Sequence, residues 1–192
     1  MHLKIRKSTS LEELIRGCRK NSPRSQRELF ERYSSRMLGI CRRYINNLAD
    51  AEDIMINGFM KIFERINQFQ GTGSFEGWMV RIMVNESLTF IRRNKNMSVE
   101  VSLEKAEPEP DYSFMHTNLD TDQLLKIIDE MPVGYQTVFN LYVMEGYSHK
   151  DIGKMLDISE GASKSQLSRA KAYLRHQLLI IEQELKKKSH EK

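Results

Sequence analysis

The stretch Tyr147-Ser-His-Lys-Asp-Ile-Gly-Lys-Met-Leu-Asp-Ile-Ser-Glu-Gly161, with the basic segment that follows it to about Arg175, decides how the C-terminal part of this chain folds. Ser148 can cap a helix whose third residue is Asp151, close to a capping box. Ile152, Met155 and Leu156 give that helix an apolar side. Asp157 falls where the chain must turn, and Asp tolerates the left-handed conformation better than most residues. Ile158 can tuck under the turn, and Ser159 can cap a second helix. The spacing predicts a helix-turn-helix.

Residues step about 100° around a helix, so Leu167, Ala170, Leu174 and Leu178 form one apolar stripe of the second helix. Lys164, Ser168, Lys171 and Arg175 lie on an adjacent stripe, flanked by Ser165, Arg169 and His176. No Asp or Glu occurs from Gly161 to Ile181. A helix apolar on one side and cationic on the other suits docking in a DNA major groove. On charge pattern alone a solvated basic surface helix is the commoner reading. The capped helix and tight turn ahead of it reverse that preference.

The 192 residues suffice for one medium domain or two small ones. Charged residues make up 29% and Gly and Pro are sparse, as expected of helices with exposed charged faces. A net charge of +4 and a pI near 9.0 permit a nucleic-acid partner without requiring one. Cys18 and Cys41 lack metal or redox spacing, and Cys41 on an apolar helical face reads as a buried thiol. No stretch is long and apolar enough to cross a membrane, and the basic N-terminus lacks a following apolar segment of signal-peptide type. A reduced cytoplasmic setting without membrane insertion is expected.

Charge distribution divides the chain. From Met97 to Asp120 six acids (Glu100, Glu104, Glu107, Glu109, Asp111, Asp120) face one base, Lys105, and Pro108 and Pro110 interrupt the run. Such a segment opposes a compact core and reads as a flexible acidic linker. Before it three helices can be drawn. One opens with Ser22 as cap and Pro23 at the first position, and carries Phe30, Tyr33, Met37, Ile40, Cys41 and Tyr44 at helical spacing. A second runs from about Asp50 to Ile66, with Met55, Phe59, Ile62, Phe63 and Ile66 inward. Its acids Asp50, Glu52 and Asp53 suit the positive end of the helix dipole. A third follows the loop Gln70-Gly-Thr-Gly73 and spans about Phe75 to Arg93. After the linker, Leu124, Ile127, Ile128 and Met131 mark a helix stopped by Pro132. Another runs from about Tyr135 to Val143 and ends near Gly146. With no alternating strand pattern, the expected fold is all-α: two small helical domains joined by a flexible acidic linker. The expected boundaries are an N-terminal extension 1–21, a first domain 22–96, the linker 97–120, a second domain 121–181 and a basic tail 182–192.

On these residues the chain resembles a known family. Asp50-Ala-Glu-Asp-Ile-Met-Ile-Asn-Gly-Phe-Met-Lys-Ile-Phe63 and Gly73-Ser-Phe-Glu-Gly-Trp-Met-Val-Arg-Ile-Met-Val-Asn85 resemble region 2 of bacterial extracytoplasmic-function (ECF) sigma factors of the sigma-70 family. Leu124 to Leu178 resembles the family's region 4. The resemblance implies a non-enzymatic, dissociable subunit that brings core RNA polymerase to promoter DNA. It also implies control by an anti-sigma factor, with no cofactor, metal or small-molecule substrate. The acidic helix, with Asp50, Glu52, Asp53, Asn57 and Phe59, would dock on the polymerase. Dipole complementarity and solubility explain its acids equally well without the resemblance.

The helix Phe75–Arg93 and the loop before it would meet the −10 element through Phe69, Phe75, Trp78, Arg81, Asn85, Arg92 and Arg93. Aromatics beside cations suit unpaired bases, although Trp78 and Phe75 taken alone read as core residues. The basic helix would read the −35 element with Lys164, Ser165, Gln166, Ser168, Arg169, Lys171 and Arg175. Many relatives carry Arg where this chain has Gln166, and a β-branched apolar residue where it has Ser163. Gln can read adenine, so a shifted base preference is expected. In relatives the acidic linker can thread toward the active-site cleft. The competing reading is a free-standing helix-turn-helix repressor or activator, which would bind duplex tightly as a dimer without polymerase. An enzyme finds little support: there is no zinc-type His-Glu-x-x-His, no phosphate-cradling glycine loop, and no partner for His116 or His149.

Overall fold

The computed structural model describes residues 9–94 and 121–190. The acidic segment 97–120, with His116 and its expected tether role, lies outside them. The described chain is helical, without a strand among the described residues, and it parts into two compact units at Phe90/Ile91.

The N-terminal unit holds α1 (Leu11–Arg19), α2 (Pro23–Arg42), α3 (Leu48–Arg65), a 3-10 turn (Ile66–Gln68) and all but the last three residues of α4 (Phe75–Arg93). Sequence spacing reads residues 1–21 as an extension; α1, within them, packs into the N-terminal unit. Ser10 and Glu13 form a reciprocal capping box at its start. Leu14 and Cys18 are fully buried against α2. Asn21, at φ 55, turns the corner. Ser22 then caps α2 with Pro23 at its first position, as expected. The cap of α3 is Asn47, three residues before the expected start, its side chain accepting from Asp50 N–H at 3.1 Å. Leu29, Met37, Ile40 and Cys41 of α2 share a core with Ala51, Ile54, Met55 and Ile62 of α3 and Met79, Met83, Val84 and Leu88 of α4. Lys61 on α3 pairs with Glu86 on α4 at 2.6 Å.

The C-terminal unit holds α5 (Thr121–Asp129), α6 (Val133–Phe139), α7 (His149–Leu156) and α8 (Glu160–His190). The helix expected over 135–143 widens after Phe139 into a π turn, Asn140–Met144, closed by Gly146 at φ 74. That turn leaves Tyr142, Val143 and Met144 exposed. The helix-turn-helix matches its sequence reading. Ser148 caps α7, Asp157 sits at φ 57, ψ 47, and Ser159 accepts from Ala162 N–H at 3.0 Å. Ile152 and Leu156 are buried with Leu167, Ala170 and Leu174. α8 continues to His190, past the expected boundary at Ile181, because no Gly or Pro follows Gly161 to stop it.

One glycine sets the tightness of the turn. A Cβ on Gly153 would lie 2.8 Å from the backbone oxygen of Ile158, whose N–H bonds the Gly153 carbonyl at 3.0 Å. Gly153→Ala should therefore push the turn open and cost about 1–3 kcal/mol. Gly161→Ala, whose Cβ would meet only Ser159 Oγ at 3.8 Å, should not. Thermal unfolding followed by circular dichroism checks this. Equal midpoints for the two variants would mean that the turn relaxes at no cost.

Candidate nucleic-acid interface

In the C-terminal unit α7 and the turn hold α8 so that one side packs and the other faces solvent. Lys164 and Arg175 are exposed, while Ser165, Ser168, Arg169 and Lys171 are half-buried along the same side. Lys164 Nζ lies 2.7 Å from Glu160 Oε1, one turn back. Hydrogen bonding to that ammonium, and its charge, hold the Glu160 carboxyl below its ordinary range. These cations on an exposed helix can take phosphates and base edges.

Gln166 is not among them, which corrects the expected base-reading role. It is 4% exposed, and its Oε1 lies in the interior where a Cβ on Gly134 would approach to 3.4 Å. The reason is angular: Ser163, Gln166, Leu167, Ala170 and Leu174 fall within about 100° of arc. Ser163, fully buried, shares a 2.9 Å hydrogen bond with His149 Nδ1. The His149 ring stacks on Tyr142 at 4.4 Å and 19°. Sequence reasoning found no partner for His149, because its partners lie on the π turn and on α8.

In the N-terminal unit Phe69, Phe75 and Trp78 form a triangle of rings, with centroids 5.1, 5.5 and 5.7 Å apart. Phe75 is 3% exposed and cannot itself meet a base, which corrects its expected direct contact; it is the floor on which Phe69 and Trp78, both half-buried, rest. Ser74 caps α4, accepting from Gly77 N–H at 3.3 Å. Arg81, Asn85, Arg92 and Arg93 are exposed along α4. Trp78, Arg81, Asn85 and Arg92 fall within about 60° of arc. A ring platform beside cations can stack unpaired bases and hold their backbone. Arg19 of α1, absent from the sequence-based set, donates from Nη2 to the Phe69 carbonyl at 2.6 Å.

On α3, Glu52, Asp53 and Asn57 are exposed and Asp50 is half-buried. Phe59 is 2% exposed and packs on Phe30 at 4.7 Å between ring centroids, so its expected partner contact is also corrected. Ile56 and Met60 are exposed instead, making the outer face of α3 mixed acidic and apolar. Their signal was in the sequence: both fall outside the inward stripe of Met55, Phe59 and Ile62. Burial pushes the Cys18 and Cys41 thiols up to about 11, so both stay protonated.

Burial holds His149 below the usual histidine range; Lys164 and Lys171 add to this and Glu160 opposes it. The unfolded chain then takes up a proton from about pH 6.5 downward while the folded ring stays neutral. The stability of the neutral ring is complete above about pH 6.5 and is lost as pH falls toward the folded value. The unfolding midpoint of this unit should drop as pH falls below about 6.5, and His149→Gln should flatten that slope. Identical slopes in both proteins would remove His149 as the cause.

Residues 29–97 of the chain match the family model described as sigma-70 region 2, and residues 121–174 match sigma-70, region 4. It is 29% identical over 157 residues to ECF RNA polymerase sigma factor SigE of Mycolicibacterium smegmatis, covering 79% of this chain and 60% of that protein. To ECF RNA polymerase sigma factor SigW of Bacillus subtilis it is 24% identical over 184 residues, 88% of this chain and 96% of the other. Its fold is similar to that of sigma factor RpoE from Bartonella quintana, solved with the anti-sigma factor NepR. The TM-score is 0.50 and the identity 18%, over 80% of this chain and 96% of that one. With both regions present in order and together covering more than half of the sequence, this chain belongs to the sigma-70 family of RNA polymerase sigma factors, in its extracytoplasmic-function group.

Proposed function

We infer that this chain is a dissociable subunit that binds core RNA polymerase, directs it to promoters and assists DNA opening. What carries the reading is the pairing, in one chain, of a ring-and-cation surface suited to unpaired bases with a helix-turn-helix suited to duplex. α8 enters the major groove of the −35 element, with Lys164, Arg169, Lys171 and Arg175 on phosphates and base edges and Ser165 and Ser168 beside them. At the −10 element Phe69 and Trp78 receive unstacked bases while Arg81, Asn85, Arg92 and Arg93 hold the strand. Extruding a base costs a few kcal/mol, which stacking on a prepared ring surface offsets.

The outer face of α3 docks on the polymerase through Asp50, Glu52, Asp53 and Asn57, joined by Ile56 and Met60. The acidic segment 97–120 acts as a nucleic-acid mimic toward the polymerase cleft, and an anti-sigma factor holds the chain when it is not in use. None of this requires a cofactor, a bound metal or an enzymatic step, and the work is done in the cytoplasm. No helix among the described residues is long and apolar enough to cross a membrane.

Run-off transcription with purified core polymerase on genomic promoter fragments tests the reading. Transcripts that depend on the chain are expected, and Trp78→Ala should cut their yield about tenfold, the worth of one stacked base. Firm duplex binding without any complex with core would instead favour a free-standing repressor or activator.

A second measurement isolates α8. Glu160 occupies Lys164 and places a negative charge beside an approaching backbone. Glu160→Gln should tighten binding to −35 duplex about twofold to fivefold at low salt, with the gain shrinking as salt rises. Unchanged affinity at all salt concentrations would place Glu160 and Lys164 away from DNA.

A further inference from the structure

The loop between the 3-10 turn and α4 carries the ring of Phe69, yet it has little packing of its own. Residues 70–74 are all exposed, and Gly71 sits at φ 76. Added Cβ atoms on Gly71 and Gly73 would meet nothing within 4 Å. The downstream end is fixed by the buried Phe75 and the Ser74 cap. The upstream end is different. Phe69 N–H closes the 3-10 turn on the Ile66 carbonyl at 3.3 Å, and its own carbonyl is taken by Arg19 at 2.6 Å.

Arg19 reaches this carbonyl from a helix 50 residues earlier in the chain, and that helix is itself firmly seated. Leu14 and Cys18 are fully buried. A Cβ on Gly17 would collide with the Ser25 side chain, so α1 and α2 meet too closely for any side chain there. At the other end of α1, Thr9 Oγ1 donates to Glu28 at 2.9 Å and Arg32 donates to the Thr9 carbonyl at 2.8 Å. Arg19 is thus a permanent cation on a fixed support, making a charge-assisted bond to the backbone of an otherwise open loop.

We propose that Arg19 is a positioning residue for base capture. Through the Phe69 carbonyl, α1 braces the upstream end of the loop and holds the Phe69 ring against Trp78 and Phe75 in the geometry that receives an unstacked base. The proposal rests on the reading of that triangle as the −10 surface. Arg19 itself touches no base.

Trp78, the chain's single tryptophan, sits in the triangle and reports on it directly. The test compares the full chain with Arg19→Ala and Arg19→Lys in two settings. In the free protein, acrylamide quenching of Trp78 fluorescence is measured. With core polymerase, permanganate reactivity of promoter thymines measures opening, and core affinity and −35 duplex affinity are measured alongside. Arg19→Ala should raise Trp78 quenching and lower the open-complex yield about fivefold, the effect of one charge-assisted hydrogen bond. Core affinity and −35 affinity should be unchanged. Arg19→Lys, which keeps a long cationic donor, should recover most of the yield. Unaltered quenching and opening in Arg19→Ala would overturn the brace. So would a loss of opening matched by an equal loss of core affinity, which marks general damage to the domain. A wild-type chain that opens no promoter would overturn the sigma reading instead, while quenching in the free chain would still decide whether Arg19 orders the rings.

Discussion

A helix that recognises a partner must divide its circumference between packing and exposure, and the geometry of this chain follows from that division. α8 turns Ser163, Gln166, Leu167, Ala170 and Leu174 inward. The remaining arc is left to Lys164, Ser168, Lys171 and Arg175. α4 turns Met79, Met83, Val84, Leu88 and Ile91 inward and keeps Trp78, Arg81, Asn85 and Arg92 on another face. At about 100° per residue neither face can be shifted by one position without exposing core and burying charge. The apolar side of each helix therefore sets where its cations point. Burial is worth about 1.5–3 kcal/mol for each large apolar side chain, more than the surface ion pairs Lys164–Glu160 and Arg32–Glu28 contribute.

What could be read from the sequence was what local chemistry determines. Ser22 with Pro23, Ser148, Asp157 and Ser159 all stand where their cap and turn preferences put them, because each acts on backbone groups within a few residues. α1 was missed although Ser10 and Glu13 spell a capping box, since its nine residues offer only Leu14 and Cys18 to the core around a central glycine. The π turn after Phe139 carries no local signal; it is visible only in the exposure of Tyr142, Val143 and Met144. His149 illustrates the same limit: its partners Ser163 and Tyr142 meet it only once three elements are in place.

Within the proposed interfaces the errors share a cause. The resemblance makes Phe59, Phe75 and Gln166 partner-facing, and all three are buried. An aromatic ring near a recognition surface does two different jobs: Phe75 supports and Trp78 presents. Only depth separates them, and a sequence does not state depth. The missed residues Ile56 and Met60 err in the opposite sense. They are apolar, yet they fall outside the inward stripe and lie on the outer face of α3 among Glu52, Asp53 and Asn57. There an apolar patch rimmed by acids is the composition expected of a surface that another protein covers.

Gln166 shows why residue type and position cannot be exchanged freely at such a site. An Arg at the same backbone position has a longer aliphatic stem, which can lie along the packed surface while the guanidinium reaches past its rim into solvent. A glutamine stem is too short for that, so its carboxamide stays inside, over Gly134, with Oε1 unpartnered. Leaving a buried carbonyl unpaired costs about 1–3 kcal/mol. Gln136, Thr137 and Ser163 are buried in the same unit, with Gln136 Nε2 reaching Asp129 at 3.5 Å and Ser163 reaching His149. α6 and α8 thus bury polar side chains among their apolar ones, and these two pairings tie α6 to α5 and α8 to α7. Sliding α6 along α5, or α8 along α7, would break those pairings. An apolar seam tolerates small slips, and a polar one penalises each of them. Ser163 thus ties α8 to α7 through His149 and Gln166 carries the cost of an unpaired carbonyl, while Lys164 and Arg175 stay exposed on the other side of the same helix.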